Sequence, residues 1–189
     1  MATNYYREPL TKQEIEEHIT DYKLGYPVVY VGTYAKYNAG DMAGMWVSLI
    51  NFSDYSDFIE FCNRIHADEE EPELMFQDFE NFPKEYYSET FLMFDKIIEF
   101  SELDEDSKEP FEVYLQIFGT KNTSAEDFES RYEGNFCSHA EFARSYYEKY
   151  YMEEYYNLPT WARNNINWDD VWCDLKHDTW EKDGCYFTA

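Results

Sequence analysis

Residues 26–49, YPVVYVGTYAKYNAGDMAGMWVSL, contain two apolar runs separated by a polar connection. Residues 28–31 are β-branched or aromatic, as strands prefer, and residues 45–47 begin a second run of the same kind. Between the two runs, residues 37–41 supply turn formers, YNAGD. The stretch therefore predicts two antiparallel strands joined by a long loop, the beginning of a small sheet.

A helix and a third strand are predicted after this hairpin. The helix begins at Ser53 or Asp54, and the third strand begins near Leu74. The apolar stripe of the helix consists of Phe58, Phe61, Cys62 and Ile65. Together these elements predict a small ββαβ unit over residues 26–82.

The N-terminal extension, residues 1–25, is predicted to hold one helix. Thr11 and Glu14 have the spacing of a capping box. Three apolar residues then fall on one helical face, namely Ile15, Ile19 and Tyr22.

A helical unit is predicted over residues 83–122. Its first helix has an apolar stripe of Phe91, Phe94, Ile97 and Ile98. Asp95, Glu99 and Glu102 share another face of that helix, because they are spaced four and three residues apart. Pro110 suits the first turn of a second helix, which Gly119 ends.

The last predicted unit covers residues 123–189 and mixes helices with strands. Capping boxes predict helices beginning at Thr123 and Ser138, and Asn167 begins a further helix. One strand is predicted within residues 131–137, and a hairpin closes the unit. The fold class is thus α+β, with two small antiparallel-sheet units flanking a helical unit.

The chain is strongly acidic. It has 189 residues, of which 40 are acidic and 15 basic, for a formal charge of −25. A charge of this size repels nucleic acid and anionic lipid, so we expect basic partners, no direct nucleic-acid binding and no membrane binding. Aromatic residues make up 21% of the chain, which argues against a disordered acidic tail. Solubility alone remains an alternative explanation of the charge.

The sequence carries no motif that indicates catalysis, a metal or a cofactor. HExxH and GxSxG are absent, and the four cysteines lie far apart. We therefore predict a protein that is not an enzyme and has no cofactor. No apolar stretch reaches about 18 residues, and the N-terminal residues lack the apolar core of a secretory signal, so a cytoplasmic location is expected.

The carboxylates suggest imitation of a nucleic-acid backbone. Duplex DNA carries one charge per about 1.7 Å, so 25 charges correspond to about 42 Å of duplex. Residues 54–133 hold 24 of the acidic residues and 6 of the basic ones. The predicted DNA-mimic surface consists of Asp57, Glu60, Glu69, Glu70, Glu71, Glu73, Asp95, Glu99, Glu102, Asp104, Glu105, Asp106, Glu109, Glu112, Glu126, Asp127 and Glu129.

Two separated blocks resemble the ArdA antirestriction proteins. The first is YVGTYAKYNAGDMAGMWVSL, residues 30–49. The second begins with FARSYYEKYY and continues through LPTWARNNINWDDVWCDL to HDTWEKDGCYF, which ends at residue 187. The blocks agree with the family in order and spacing and bracket most of the chain.

This resemblance implies a small, acidic, elongated protein of three units that dimerises through its C-terminal unit. It implies mimicry of B-form DNA and competitive occupation, without chemistry, of the DNA-binding groove in the methyltransferase core of type I restriction-modification enzymes. Incoming plasmid or transposon DNA would then escape cleavage. The residues alone leave two other classes open: an acidic inhibitor or binding module for another basic DNA-binding protein or nuclease, and an unrecognised hydrolase.

Overall fold

The computed structural model describes residues 8–18, 25–121 and 123–189. Over these residues the chain combines helices with antiparallel sheets of three, two and three strands, which confirms the α+β class built from small sheets. The chain divides into two compact units, with the boundary between Leu103 and Asp104. We call them unit 1 and unit 2.

A three-stranded sheet forms the centre of unit 1. Strand β1 (Val28–Thr33) lies between β2 (Met45–Ser48) and β3 (Leu74–Glu80), and both pairings are antiparallel. The valines of β1 are fully buried because β1 is the central strand. The predicted strands are confirmed, but the connection is not only a loop, since it holds the short helix α2 (Tyr34–Asn38).

Two helices of unit 1 begin where their capping residues predict. Helix α1 (Lys12–His18) begins at a reciprocal capping box, in which the Glu14 amide donates to Thr11 and the Thr11 amide donates to the Glu14 carboxylate. Helix α3 (Tyr55–Ile65) begins after Asp54, whose carboxylate accepts two amides of the first turn. The predicted stripe of α3 buries Phe58, Phe61 and Cys62. Ile19 and Tyr22 lie outside the described residues.

The segment before the next helix differs from its prediction. Strands β4 (Tyr87–Ser88) and β5 (Phe91–Leu92) form a short hairpin, and helix α4 (Phe94–Ser101) follows it. Phe91 was expected on a buried helical stripe, but it lies in β5 and its side chain is 52% exposed. The Ser88 hydroxyl accepts the Phe91 amide and closes the turn, so this residue follows strand geometry.

Helix α5 (Glu105–Phe118) opens unit 2 and begins earlier than predicted. The Asp104 carboxylate accepts the Ser107 amide at 3.0 Å and caps the helix, so Pro110 lies inside it and not in its first turn. Gly119 ends the helix at a φ of 75°, as predicted. The remaining helices are α6 (Ala125–Arg131), α7 (His139–Tyr150), α8 (Met152–Asn157), α9 (Thr160–Arg163) and α10 (Trp168–Leu175).

The N-caps of unit 2 agree with the predictions except at α6. Ser138 caps α7 through the Glu141 amide, and Asn167 precedes α10, both as predicted. The cap of α6 is Ser124 and not Thr123. Because the Thr123 side chain is buried and donates to the Gly119 carbonyl, the neighbouring serine hydroxyl caps the helix.

The second three-stranded sheet closes unit 2. Strand β8 (Cys185–Thr188) lies between β6 (Tyr132–Asn135) and β7 (Thr179–Lys182), with both pairs antiparallel. The predicted terminal hairpin is confirmed, with Gly184 at a φ of 82° in its turn. Aromatic rings fill the core beneath this sheet, and Tyr114 of α5 packs 5.5 Å from Phe187 between ring centroids.

Candidate functional site: an acidic surface

All seventeen predicted DNA-mimic carboxylates lie at least partly in solvent. Fourteen are exposed, and the other three, Glu69, Glu99 and Asp127, are half-buried. Both units are acidic in their own right. Unit 1 has 21 acidic and 7 basic residues, for a charge of −14, and unit 2 has 19 and 8, for −11. Each unit is therefore electrostatically suited to a cationic partner.

Helix α5 presents the most regular row of charge. Glu105, Glu109 and Glu112 are exposed and follow one another at intervals of four and three residues, so they share one face; we call them the α5 stripe. At a rise of about 1.5 Å per residue, the stripe extends over about 10.5 Å of helix axis. One strand of duplex DNA carries about three phosphates over that length. The stripe thus holds as many carboxylates over this length as a single DNA strand holds phosphates.

The fold reduces the cost of this charge at the beginning of α5. Asp104 caps the helix, and Glu105 and Asp106 lie in its first turn, where the helix dipole favours negative groups. Lys108 pairs with Glu105 at 2.5 Å. Glu109 and Glu112 lie beyond the first turn, so the helix dipole contributes little to them.

A second row of carboxylates lies on α4. Asp95 is exposed in the first turn of α4, Glu99 is half-buried, and Glu102 is the exposed C-cap residue; we call them the α4 stripe. The ammonium of Lys96 lies 3.3 Å from the Glu99 carboxylate and partly offsets its charge. The predicted common face is thus present, with two of its three members exposed.

The acidic residues of α3 lie beside a basic group. Asp57 accepts the Ser53 hydroxyl, and Glu60 is exposed. Both line a cavity of about 460 Å³ with Arg64, whose guanidinium makes a two-pronged ion pair with Glu14 at 2.8 and 3.1 Å. The Arg64 hydrogen bond, followed by the Thr11 amide, lowers the pKa of Glu14 to about 2.

The acidic loop of residues 68–73 is partly engaged by a lysine. Lys36 Nζ lies 2.9 Å from Asp68 and 3.6 Å from Glu69, and it donates to His66 Nδ1 at 3.0 Å. Oxygen and nitrogen ligands of His66, Asp68 and Glu69 converge within 4.8 Å, as metal ligands do, but the Lys36 ammonium already lies among them. Burial and the Lys36 charge lower the pKa of His66, which favours a neutral imidazole.

The remaining predicted residues of this loop and of α6 are exposed. Glu70, Glu71 and Glu73 follow the lysine-bound pair, and Glu126 and Glu129 lie on the outer face of α6. The half-buried Asp127 of α6 accepts the Ser124 hydroxyl at 3.0 Å, so this carboxylate has a capping contact as well as solvent access.

Sequence reasoning missed one buried carboxylate and several exposed ones in unit 2. Glu133 has a side chain only 4% exposed, and it accepts from Lys149, Tyr150 and Thr188 at 2.8–3.0 Å. These partners come from α7 and β8, so only the fold brings them together. Glu153 and Glu154 of α8 are exposed, and the signal that could have indicated them was their place in the first turn of a helix.

The aromatic residues of the C-terminal unit divide between core and surface. Trp161 is 73% exposed, whereas Trp168 and Trp172 are half-buried. Trp172 stacks on His139 with ring centroids 4.4 Å apart. Trp180 is exposed and contacts Phe118 edge-on. An exposed tryptophan such as Trp161 is a typical anchor of protein interfaces.

These features define an acidic α+β protein whose exposed carboxylates suit binding to a cationic surface. Within the described ranges, no helix has both the length and the apolar character needed to cross a membrane. The family model described as "Antirestriction protein (ArdA)" matches residues 29–186. The chain therefore belongs to the ArdA antirestriction family, and membership implies an antirestriction function. No curated protein matches the chain in a sequence search.

Proposed function

We propose that this protein mimics B-form DNA and occupies the DNA-binding groove of type I restriction-modification enzymes, blocking them competitively without chemistry. The observation that carries the proposal is the α5 stripe, since its three exposed carboxylates over about 10.5 Å equal the number of phosphates on that length of one DNA strand. The ArdA family match supports the choice of target. This role belongs in the cytoplasm, where such enzymes meet incoming DNA.

The charge of each unit supports the same mechanism. At about 1.7 Å per charge, −14 and −11 correspond to about 24 and 19 Å of duplex. Cationic side chains that bind phosphates in the enzyme would bind carboxylates here through the same charge-assisted hydrogen bonds. The seventeen predicted carboxylates are the candidate contacts, with the exposed stripes on α4 and α5 foremost.

We also propose a homodimer that associates through unit 2. The exposed Trp161 and the neighbouring exposed Tyr156 and Leu158 provide apolar anchors there. Sedimentation at micromolar concentration tests this assembly, and a monomer as the only species would contradict it.

Salt dependence tests the mimicry directly. The affinity of a purified type I methyltransferase core is measured for this protein and, separately, for duplex DNA, from about 50 to about 300 mM salt. DNA affinity falls with a log–log slope near −0.9 per neutralised phosphate. We expect a fall for the protein too, but a shallower one, because discrete carboxylates on a fold condense fewer counterions. We also expect each ligand to displace the other.

Three results would reject the proposal. Salt-independent affinity would indicate an apolar interface and not electrostatic mimicry. Simultaneous binding of protein and DNA would exclude a shared groove. If the protein binds no type I core but does bind a basic nuclease or nucleoid protein, the alternative function, an acidic inhibitor of another basic protein, replaces the proposed one.

A further inference from the structure

An exposed aromatic groove lies beside the α4 stripe. The rings of Tyr55, Phe91 and Phe94 meet there, with Tyr55 5.7 Å from Phe91 and 6.1 Å from Phe94 between ring centroids. Leu92 and Phe94 are buried beneath the groove, but Phe91 is 52% exposed. Asp95 lines the same groove and carries an exposed carboxylate.

The hydrogen bonds of the β4–β5 turn do not involve the ring of Phe91. The β4–β5 turn is closed by the Ser88 hydroxyl, which accepts the Phe91 amide at 3.1 Å and donates to the Phe91 carbonyl at 3.0 Å. Both contacts use the backbone of Phe91. About half of the residue's surface is therefore left in water, and a partner could bury this apolar area.

The size of the groove indicates its occupant. Its volume is about 260 Å³, below the 300–1,000 Å³ typical of small-molecule pockets, so it suits one side chain. The groove lies in unit 1, whose charge of −14 suits a cationic partner, whereas the proposed contact between copies lies in unit 2. Lys96 lines the groove as well as Asp95, and it pairs with Glu99 at 3.3 Å. The preference for a side chain that protrudes from a cationic surface therefore comes from the charge of the whole unit.

We infer that this groove receives one apolar side chain of the basic target, while Asp95 binds a lysine or arginine next to it. The inference rests on the proposed function and deepens it, because it adds an apolar anchor to an interface otherwise built from charge. Aromatic anchors beside charged contacts carry a large share of the affinity in many protein interfaces. Apolar burial is not screened by salt, whereas exposed ion pairs are.

The test compares two kinds of variant on the same target, the purified type I methyltransferase core. Phe91→Ala should weaken binding about tenfold or more at every salt concentration and leave the salt slope unchanged. Asp95→Asn should make the slope shallower. Phe91→Leu keeps an apolar side chain and should retain most of the affinity. Tyr37→Ala is the matched control, since Tyr37 is also about half exposed, at 48%, but lies on α2.

The possible results show whether the inference about the groove fails alone or together with the proposed function. If Phe91→Ala and Phe91→Leu both bind like the unsubstituted protein while its binding remains salt-dependent, the groove is not an anchor and the mimicry stands. If the unsubstituted protein neither binds the core nor displaces DNA, both proposals fail. If Phe91→Ala changes only self-association in sedimentation, the groove is an interface between copies and the inference is wrong. Urea unfolding of each variant confirms that affinity losses do not come from unfolding.

Discussion

Neutralising the middle of the α5 stripe should stabilise the protein and weaken its binding to the target. The variant is Glu109→Gln with Glu112→Gln, which removes two charges without shortening either side chain. The Asp104 cap remains, so the helix keeps its beginning. The two effects have opposite signs because the same carboxylates repel one another in the free protein and bind cations in the complex.

The magnitude of the stability change follows from helical spacing. Glu109 has acidic neighbours at Glu105, Asp106 and Glu112, and each like-charge pair destabilises a helix by about 0.2–0.5 kcal/mol. Glu112 lies four residues after Lys108, and losing that attraction offsets one repulsive pair. The net expectation is a gain of about 0.4–1 kcal/mol in the free energy of unfolding.

The affinity change follows from the value of exposed ion pairs. Each is worth about 0.2–1 kcal/mol, so two lost pairs weaken binding about twofold to thirtyfold. The log–log salt slope should become shallower by less than about one for each contact removed, since a carboxylate on a fold condenses fewer counterions than a DNA phosphate. The measurements are urea unfolding and affinity for the type I methyltransferase core over about 50 to 300 mM salt.

A matched control removes the same charge elsewhere. Glu153→Gln with Glu154→Gln neutralises two exposed carboxylates of α8, outside the predicted surface. Unchanged affinity and slope in the α5 variant would show that the stripe does not contact the target. An equal loss in the control would mean that net charge, and not the position of the stripe, determines binding.

Further predictions concern the other acidic groups. Neutralising the α4 stripe to Asn or Gln should weaken target binding more than it changes unfolding, and equal affinity would remove that stripe from the interface. Glu14→Gln should reduce the free energy of unfolding above about pH 4.5, because the lowered pKa of Glu14 means that its ionised form stabilises the fold. This loss should disappear as the pH falls to about 2, and a difference in urea unfolding that does not change with pH would contradict the prediction. Glu133→Ala should cost about 2–4 kcal/mol in unfolding because three donors lose their acceptor, whereas the exposed Glu129→Ala should change it by less than about 0.5 kcal/mol.

Local chemistry made much of the fold predictable. The Asp54 and Ser138 caps and the glycine after α5 act on their own neighbours, so sequence spacing identifies them. Where two adjacent residues could each cap a helix, as at Thr123 and Ser124, sequence spacing is ambiguous. The choice there went with a hydrogen bond from the buried Thr123 hydroxyl to the Gly119 carbonyl four residues earlier, which no capping pattern indicates.

Other features depend on contacts that no short window contains. Phe91 has helical spacing with Phe94, yet it lies in strand β5, where its ring contacts Tyr55 of α3. Glu133 is one acidic residue among forty until α7 and β8 surround it. For the acidic surface, composition indicated that carboxylates would be exposed, but only the structure shows that Lys108 pairs with Glu105 of the α5 stripe and that Lys36 pairs with Asp68 and Glu69 of the acidic loop.

The central position of β8 affects how the protein is made. Tyr132 pairs with Phe187, a separation of 55 residues, so the unit 2 sheet cannot close before β8 has been synthesised. The unit 1 sheet needs only residues up to Glu80 and can form while synthesis continues. On the ribosome, carboxylates of unit 1 would therefore be displayed on a folded surface before unit 2 could form its sheet. A nascent chain stalled before β8 would leave β6 and β7 without the strand that joins them, with their backbone groups open to pairing with other chains.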